Sequence, residues 1–220
     1  MYSAGIWRGR GHGRGDSLSG AGSDDASTGR VVSAVEDVLR RFNISSVLDV
    51  GCGDNRYMRH VDLTGVEYIG VDIAQHVIDL ADADLLVTRN KARSARYARL
   101  DVVEDTLPKG PQLAIVRDVM GHISSDDNKR FLRNLAKAEP NYLMMKTFLR
   151  ADTNKESFIL ARGHLLNLFK KPYCAPDALL LYRDDKADSY MGLWRVVPGP
   201  DENVLYTEVD GDREAWLDCQ

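Results

Sequence analysis

The sequence predicts an α/β fold: a doubly wound, seven-stranded, mainly parallel sheet with an antiparallel hairpin at its C-terminal edge. Three observations predict it. Short apolar runs alternate with helical or mixed segments, as strands buried on both faces do when helices separate them. The run Val47-Leu48-Asp49-Val50 breaks into Gly51-Cys52-Gly53, the mark of a buried strand ending in a turn whose backbone is closely approached. Nineteen residues after Gly53, a second apolar run closes on Asp72, at the carboxyl end where such sheets hold ligands.

Residues 1–29 form a compositional block of Gly, Ser, Arg and Asp in which Trp7 to Gly15 alternates arginine or histidine with glycine. Two readings stand for this arm: a disordered segment with weak affinity for RNA, or a lid anchored by Trp7. From Thr28 the pattern changes. Val31, Val32, Val35, Val38, Leu39 and Phe42 recur at helical spacing, with Ser27 or Thr28 as N-cap. The strands follow at Val47–Val50, Tyr68–Ile73, Tyr97–Val103, Leu113–Val116, Tyr142–Phe148, Ala178–Tyr182 and Leu193–Val197. The best-marked helix spans Ser125 to Ala138, with Asp126 and Asp127 in its first turn and Pro140 beyond its end. The last two strands have no helix between them, which predicts the edge hairpin. A domain over residues 30–198 is thus followed by an acidic tail, 199–220, with seven acids against one arginine. Solvation is the default for that tail, although Val204-Leu205-Tyr206 and Trp216 offer docking points.

The 220 residues suit one ordinary domain. Acids outnumber bases 33 to 29, so no global positive field draws the chain to nucleic acid or anionic membrane. Cysteines at 52, 174 and 219, odd in number and without a Cys-x-x-Cys pair, suggest neither a disulfide framework nor a zinc site and fit a reducing compartment. Met1 to Arg8 lacks the apolar core of a signal peptide, and no apolar run spans a bilayer. The expectation is a soluble cytoplasmic protein.

The glycine turn and Asp72 together read as a site for an adenosine-bearing cofactor, because a carboxylate there accepts from both ribose hydroxyls. Arg56 occupies the position of the third glycine in the dinucleotide fingerprint, which disfavours a dinucleotide. Asp49 is an acid inside an apolar strand, costly to bury unless it meets a cation or donors. The ammonium group of S-adenosylmethionine supplies a cation at about that place.

Taken in order, Asp49-Val50-Gly51-Cys52-Gly53, Asp72, Asp101 and Arg117-Asp118-Val119-Met120-Gly121-His122 resemble the motifs of a class I S-adenosylmethionine-dependent methyltransferase. The resemblance covers about residues 30 to 150. It implies that Gly51 and Gly53 present backbone to the methionine moiety, with Asp49 near its ammonium. It further implies that Asp72 holds the ribose hydroxyls and Ile73 packs on adenine, while Asp101 accepts from the exocyclic amine and the Val102 amide meets a ring nitrogen. Asn55 replaces the loop's third glycine. Below superfamily level the chain is similar to small methyltransferases with an Arg-Asp-x-x-x-His segment and an N-terminal Trp-x-Gly-x-Gly stretch, which favours the lid reading of the arm.

Methyl transfer is an in-line displacement in which positioning supplies much of the acceleration, and a base is needed only when the acceptor loses a proton. His122 is a candidate base, or a histidine that caps the following helix or sits satisfied in the pocket wall. Asp118 orients the acceptor, or merely pairs with Arg117. Arg117 lines the cofactor pocket or holds an anionic acceptor. Lys146, in the apolar strand Met144-Met145-Lys146-Thr147-Phe148, either neighbours Asp118 or snorkels to solvent.

RNA ribose 2′-O-methyltransferases use Lys-Asp-Lys-Glu, and Asp118 and Lys146 match the middle pair. Arg30 stands at the first lysine, and Ser189-Tyr190-Met191-Gly192 carries no acid at the last position. Without Asn-Pro-Pro-Tyr or Asp-Pro-Pro-Tyr after the fourth strand, methylation of exocyclic amines in DNA is unsupported, and no metal-ligand cluster marks a magnesium-dependent enzyme. The reading is therefore a methyltransferase acting on an O or N of a small-molecule acceptor, with no membrane partner. The alternatives are an RNA ribose methyltransferase and a non-catalytic S-adenosylmethionine-binding partner protein.

Overall fold

The computed structural model describes residues 28–154, 164–185 and 188–219; the arm with Trp7 to Gly15, and Ser27, lie outside them. The parallel strands are β1 (Ser46–Val50), β2 (Glu67–Asp72), β3 (Ser94–Arg99), β4 (Leu113–Val116) and β5 (Tyr142–Phe148). β6 (Leu180–Arg183), β7 (Ser189–Val196), β8 (Tyr206–Val209) and β9 (Asp212–Ala215) join antiparallel. The order is β3-β2-β1-β4-β5-β7-β8-β9, with β6 also paired to β7. The helices are α1 (Gly29–Arg41), α2 (Gln75–Ile78), α3 (Ala83–Thr88) and α4 (Ser125–Ala138).

Alternating side chains build a core on each face. Val31, Val35 and Val38 of α1 pack with Val47, Leu113, Ile115 and Met144. Phe131, Leu132 and Leu135 of α4 pack with Leu48, Val50, Ala114, Val116 and Leu143 on the other. Ser124 caps α4 by accepting from the Asp127 amide at 3.1 Å, and Glu139 ends it with a left-handed φ of 50°. Because β1 pairs with β2 on one side and β4 on the other, the order of strand addition reverses there, and the ligand crevice of a doubly wound sheet opens at the carboxyl ends of β1 and β4.

Several expectations need correction. The sheet has nine strands among the described residues, and β7 lies inside it, between β5 and the strands β6 and β8 that share its far edge. β3 begins at Ser94 and ends at Arg99, before Val103, because the Asp101 carboxylate takes the Val103 amide at 2.9 Å and turns the chain. The acidic tail docks: Asp210 and Gly211, both at positive φ, form a two-residue turn between β8 and β9. Leu205 and Trp216 are buried in the α4-side core, and Trp216 packs edge-on to Trp194 with ring centroids 5.1 Å apart.

That docking brings Cys219 to Cys174, 5.5 Å apart at Cα, where they form a disulfide. The reading without disulfides is corrected, and cysteine usage no longer argues for a reducing compartment. Cys52 remains a buried thiol. No helix among the described residues is long and apolar enough to cross a membrane.

Candidate active site

The donor side is built where β1 and β2 end. Gly51 and Gly53 adopt φ of 73° and 58°, and the Gly51 and Cys52 amides donate to the Val71 carbonyl, which folds the loop back over β2. A Cβ on Gly51 would lie 2.2 Å from Val119 Cγ2, so the loop after β4 presses directly on the glycine turn. Asn55 also sits at positive φ, 58°, which asparagine tolerates best among non-glycine residues, and so replaces the third glycine without changing the turn. Asp72 is set by the Gly53 and Ala74 amides, which donate to its two oxygens at 3.0 and 2.9 Å. Burial pushes its carboxyl above the ordinary range although these amides oppose the shift.

Asp49 is buried beneath the loop and held by two phenols. Tyr68 donates to it at 2.8 Å and Tyr57 at 3.2 Å. Tyr68 also donates to Asn55, whose amide nitrogen bonds the Tyr97 hydroxyl. Burial raises the Asp49 carboxyl to about 6, with Tyr68, Tyr57 and Arg117 pulling the other way. Since its unfolded value is about 3.9, the stability due to neutral Asp49 is full below about pH 4 and is lost as pH rises through about 6. Wild-type stability relative to Asp49→Asn is therefore expected to fall by up to about 3 kcal/mol between about pH 4 and pH 7, measured by denaturant titration.

The turn after β3 is less enclosed. Ile73 and Asp101 are half-buried, and Val102 is buried with its carbonyl accepting from Asn134 at 3.0 Å. Asp101 sits in the turn after β3, one of its oxygens taken by Val103. The structure thus brings Gly51, Gly53, Asp72 and Asp49 close together, with Asp101 and Val102 beyond β3.

A second group of charges begins at Asp118, which follows β4 at a left-handed φ of 58°. Lys146 of β5 reaches it, Nζ lying 2.9 and 3.0 Å from its two oxygens, so the solvent-snorkelling reading is excluded. Arg117 contacts Asp118 at 3.5 Å, and its guanidinium lies 5.5 Å from the Tyr57 ring centroid. Both cations also face Asp184, a residue the sequence reading missed, at 3.0 Å from Lys146 and 3.7 Å from Arg117. Asp184 is fully buried, accepts from the Ser189 hydroxyl at 3.1 Å, and pairs backbone to backbone with Ser189. Burial pushes its carboxyl up, but Lys146 and Arg117 outweigh this and hold it below its ordinary value. His122 is half-buried on the 3-10 turn Met120–His122, its amide bonded to the Val119 carbonyl.

A glycine turn beside an acid at the end of β2, with a buried charge cluster one strand away, stands where a doubly wound sheet holds its ligand. The family model described as a methyltransferase domain matches residues 30–197. The chain belongs to the methyltransferase-domain family. No curated protein matches the sequence. Among solved structures, this methyltransferase is similar to the methyltransferase domain of the bacterial CtHen1-C, with a TM-score of 0.57 and 18% identity over 76% of this chain and 96% of that one. Mitomycin 7-O-methyltransferase MmcR gives 0.57 and 19% over 76% and 52%. Magnesium protoporphyrin IX methyltransferase from Synechocystis PCC 6803 with bound SAH gives 0.54 and 14% over 74% and 80%. These likenesses show the shared fold.

The methyl donor of the family is S-adenosylmethionine, and the residues present fit it. A Cβ would fill the cradle at Gly51, while Asp72 offers an acceptor for hydroxyls at the strand end. Bound there, this cofactor supplies a methyl group on an electrophilic sulfonium.

Proposed function

We propose that this methyltransferase transfers a methyl group from S-adenosylmethionine to an oxygen or nitrogen of a small-molecule acceptor. The observation that carries the reading is the contact of Val119 on Gly51, which sets Asp118 and its Lys146 partner immediately beside the donor loop. Asp72 is assigned to the ribose hydroxyls and Asp49 to the ammonium end, while Ile73, Asp101 and Val102 flank the adenine. Arg117, Asp118, His122 and Lys146 frame the acceptor, whose orientation relative to the methyl supplies most of the rate. Structural neighbours lend support: the names of two of them, a 7-O-methyltransferase and an N,N-dimethyltransferase, state small-molecule acceptors.

A second reading, RNA ribose methylation, gains from Asp184. The acid absent from the start of the last strand is supplied opposite it, since Asp184 faces Ser189 and contacts Lys146 at 3.0 Å. Arg30, at the place of the first lysine, bonds through its amide to Asp185 at 2.8 Å.

Calorimetry with S-adenosylmethionine and S-adenosylhomocysteine tests the first step. Saturable binding is expected, weakened at least about tenfold in Gly51→Ala, where the new Cβ meets Val119 at a φ of 73°. Binding of neither compound by the wild type overturns the reading. Incubation with labelled cofactor and separate RNA and metabolite pools then distinguishes the two acceptors by the pool that takes up label.

A further inference from the structure

Two buried cations lie beside the donor loop. Arg117 and Lys146 have side chains only 3% exposed, and both are turned toward Asp118 and Asp184. Arg117 also acts on Asp49, so among the described residues these two cations face three carboxylates. Asp184 is fully buried, so the member that meets the crevice is Asp118, whose side chain is 30% exposed. An approaching acceptor therefore encounters a carboxylate, with its balancing cations behind it.

From this arrangement we infer that the acceptor presents a proton-bearing nucleophile, a hydroxyl or an amine, to Asp118, and that carboxylate acceptors are rejected. The inference rests on the methyltransferase reading above and narrows its acceptor chemistry. A carboxylate only accepts hydrogen bonds, and it has about four acceptor positions, so the group it orients must donate O–H or N–H. Hydrogen bonding to Asp118 then points the lone pair of the same atom away from the carboxylate and toward the donor loop across Val119. A carboxylate acceptor has no proton to donate and would bring a like charge against Asp118, a contact that selects against it.

The step balances without another reagent. The acceptor's oxygen or nitrogen lone pair forms the new bond to the methyl carbon, and the electron pair of the broken carbon–sulfur bond stays on sulfur, which becomes a neutral thioether. A neutral amine becomes a stable ammonium whose charge Asp118 offsets, whereas an oxygen acceptor gains positive charge that makes its proton strongly acidic, so a weakly basic carboxylate suffices to take it. Asp118 receives that proton and passes it to water at its exposed edge. Asp184 acts as a positioning residue, holding Lys146 and Arg117 so that Asp118 keeps its place at the crevice.

The test uses the intact protein with S-adenosylmethionine labelled in its methyl group, incubated with total RNA and with metabolite extract. Alkali separates the outcomes, because methyl esters release volatile methanol on alkaline treatment whereas methyl ethers and methylamines do not. Alkali-stable label is expected, and Asp118→Asn is expected to lower its incorporation by about 100-fold or more while S-adenosylhomocysteine affinity is unchanged. Asparagine tolerates the left-handed φ at this position, so the variant keeps the loop. Alkali-labile label, or an Asp118→Asn protein with undiminished incorporation, overturns the inference and leaves the methyltransferase reading standing. A cofactor-binding protein that labels neither pool overturns both.

Discussion

Replacing Asp184 by alanine is expected to remove about 3–5 kcal/mol of folding stability, because it strands two buried cations. Lys146 and Arg117 have lost nearly all their water, and Asp184 is a fully buried carboxylate that compensates both. Asp118, with its side chain 30% exposed, is partly screened by water and offsets them less. The Ser189 hydroxyl and the Asp185 amide also lose their acceptor. A denaturation midpoint with unchanged slope reads the effect. Combining Asp184→Ala with Lys146→Met is expected to recover part of the loss, since an apolar replacement for a buried pair is often neutral. Failure of the second change to help would mean that Asp184 matters chiefly through Ser189 and the β6–β7 turn.

Trp216→Ala is expected to cost a similar amount, about 3–5 kcal/mol, through the cavity it leaves. Its indole is buried, meets Trp194 edge-on at 5.1 Å, and donates from Nε1 to Thr207 Oγ1 at 3.2 Å. The variant keeps the Cys174–Cys219 link, so the chain end remains tethered while its packing is lost. Near-ultraviolet circular dichroism and thermal unfolding, each with and without reductant, report the two contributions. A reductant-insensitive melting temperature equal to wild type would show that the hairpin contributes nothing to the core.

The parallel half of the sheet was legible because its strands are apolar on both faces. β4 and β5 have the boundaries read from sequence, and β1 differs by one residue. β3 was misplaced since it is an edge strand whose Ser94, Arg96 and Arg99 carry polar side chains to solvent, leaving no apolar run. β8 and β9 were hidden by their acids, although Asp210-Gly211 carries the turn signal that would have found them. The meeting of Gly51, Gly53 and Asp72 followed from local spacing, as they lie at the ends of two neighbouring strands. On the acceptor side, Asp118 and Lys146 were found because each stands out locally. Asp184, in Arg183-Asp184-Asp185, looks like an ordinary polar turn, and only the pairing of β6 with β7 carries it into the core. The cysteine pair escaped for the same reason, since its partners are 45 residues apart and meet only through the docked hairpin.

The place of β7 inside the sheet has a consequence for the order of folding. The donor loop is complete once β1, β2 and the loop after β4 have come together, all within the first 120 residues. The charge cluster needs Asp184, which arrives only when β7 pairs with β5 and brings β6 with it. A chain emerging from synthesis therefore has the parts of its donor pocket before the parts of its acceptor pocket. Until the last strands join, Lys146 and Arg117 lack the buried acid that Asp184 brings to them.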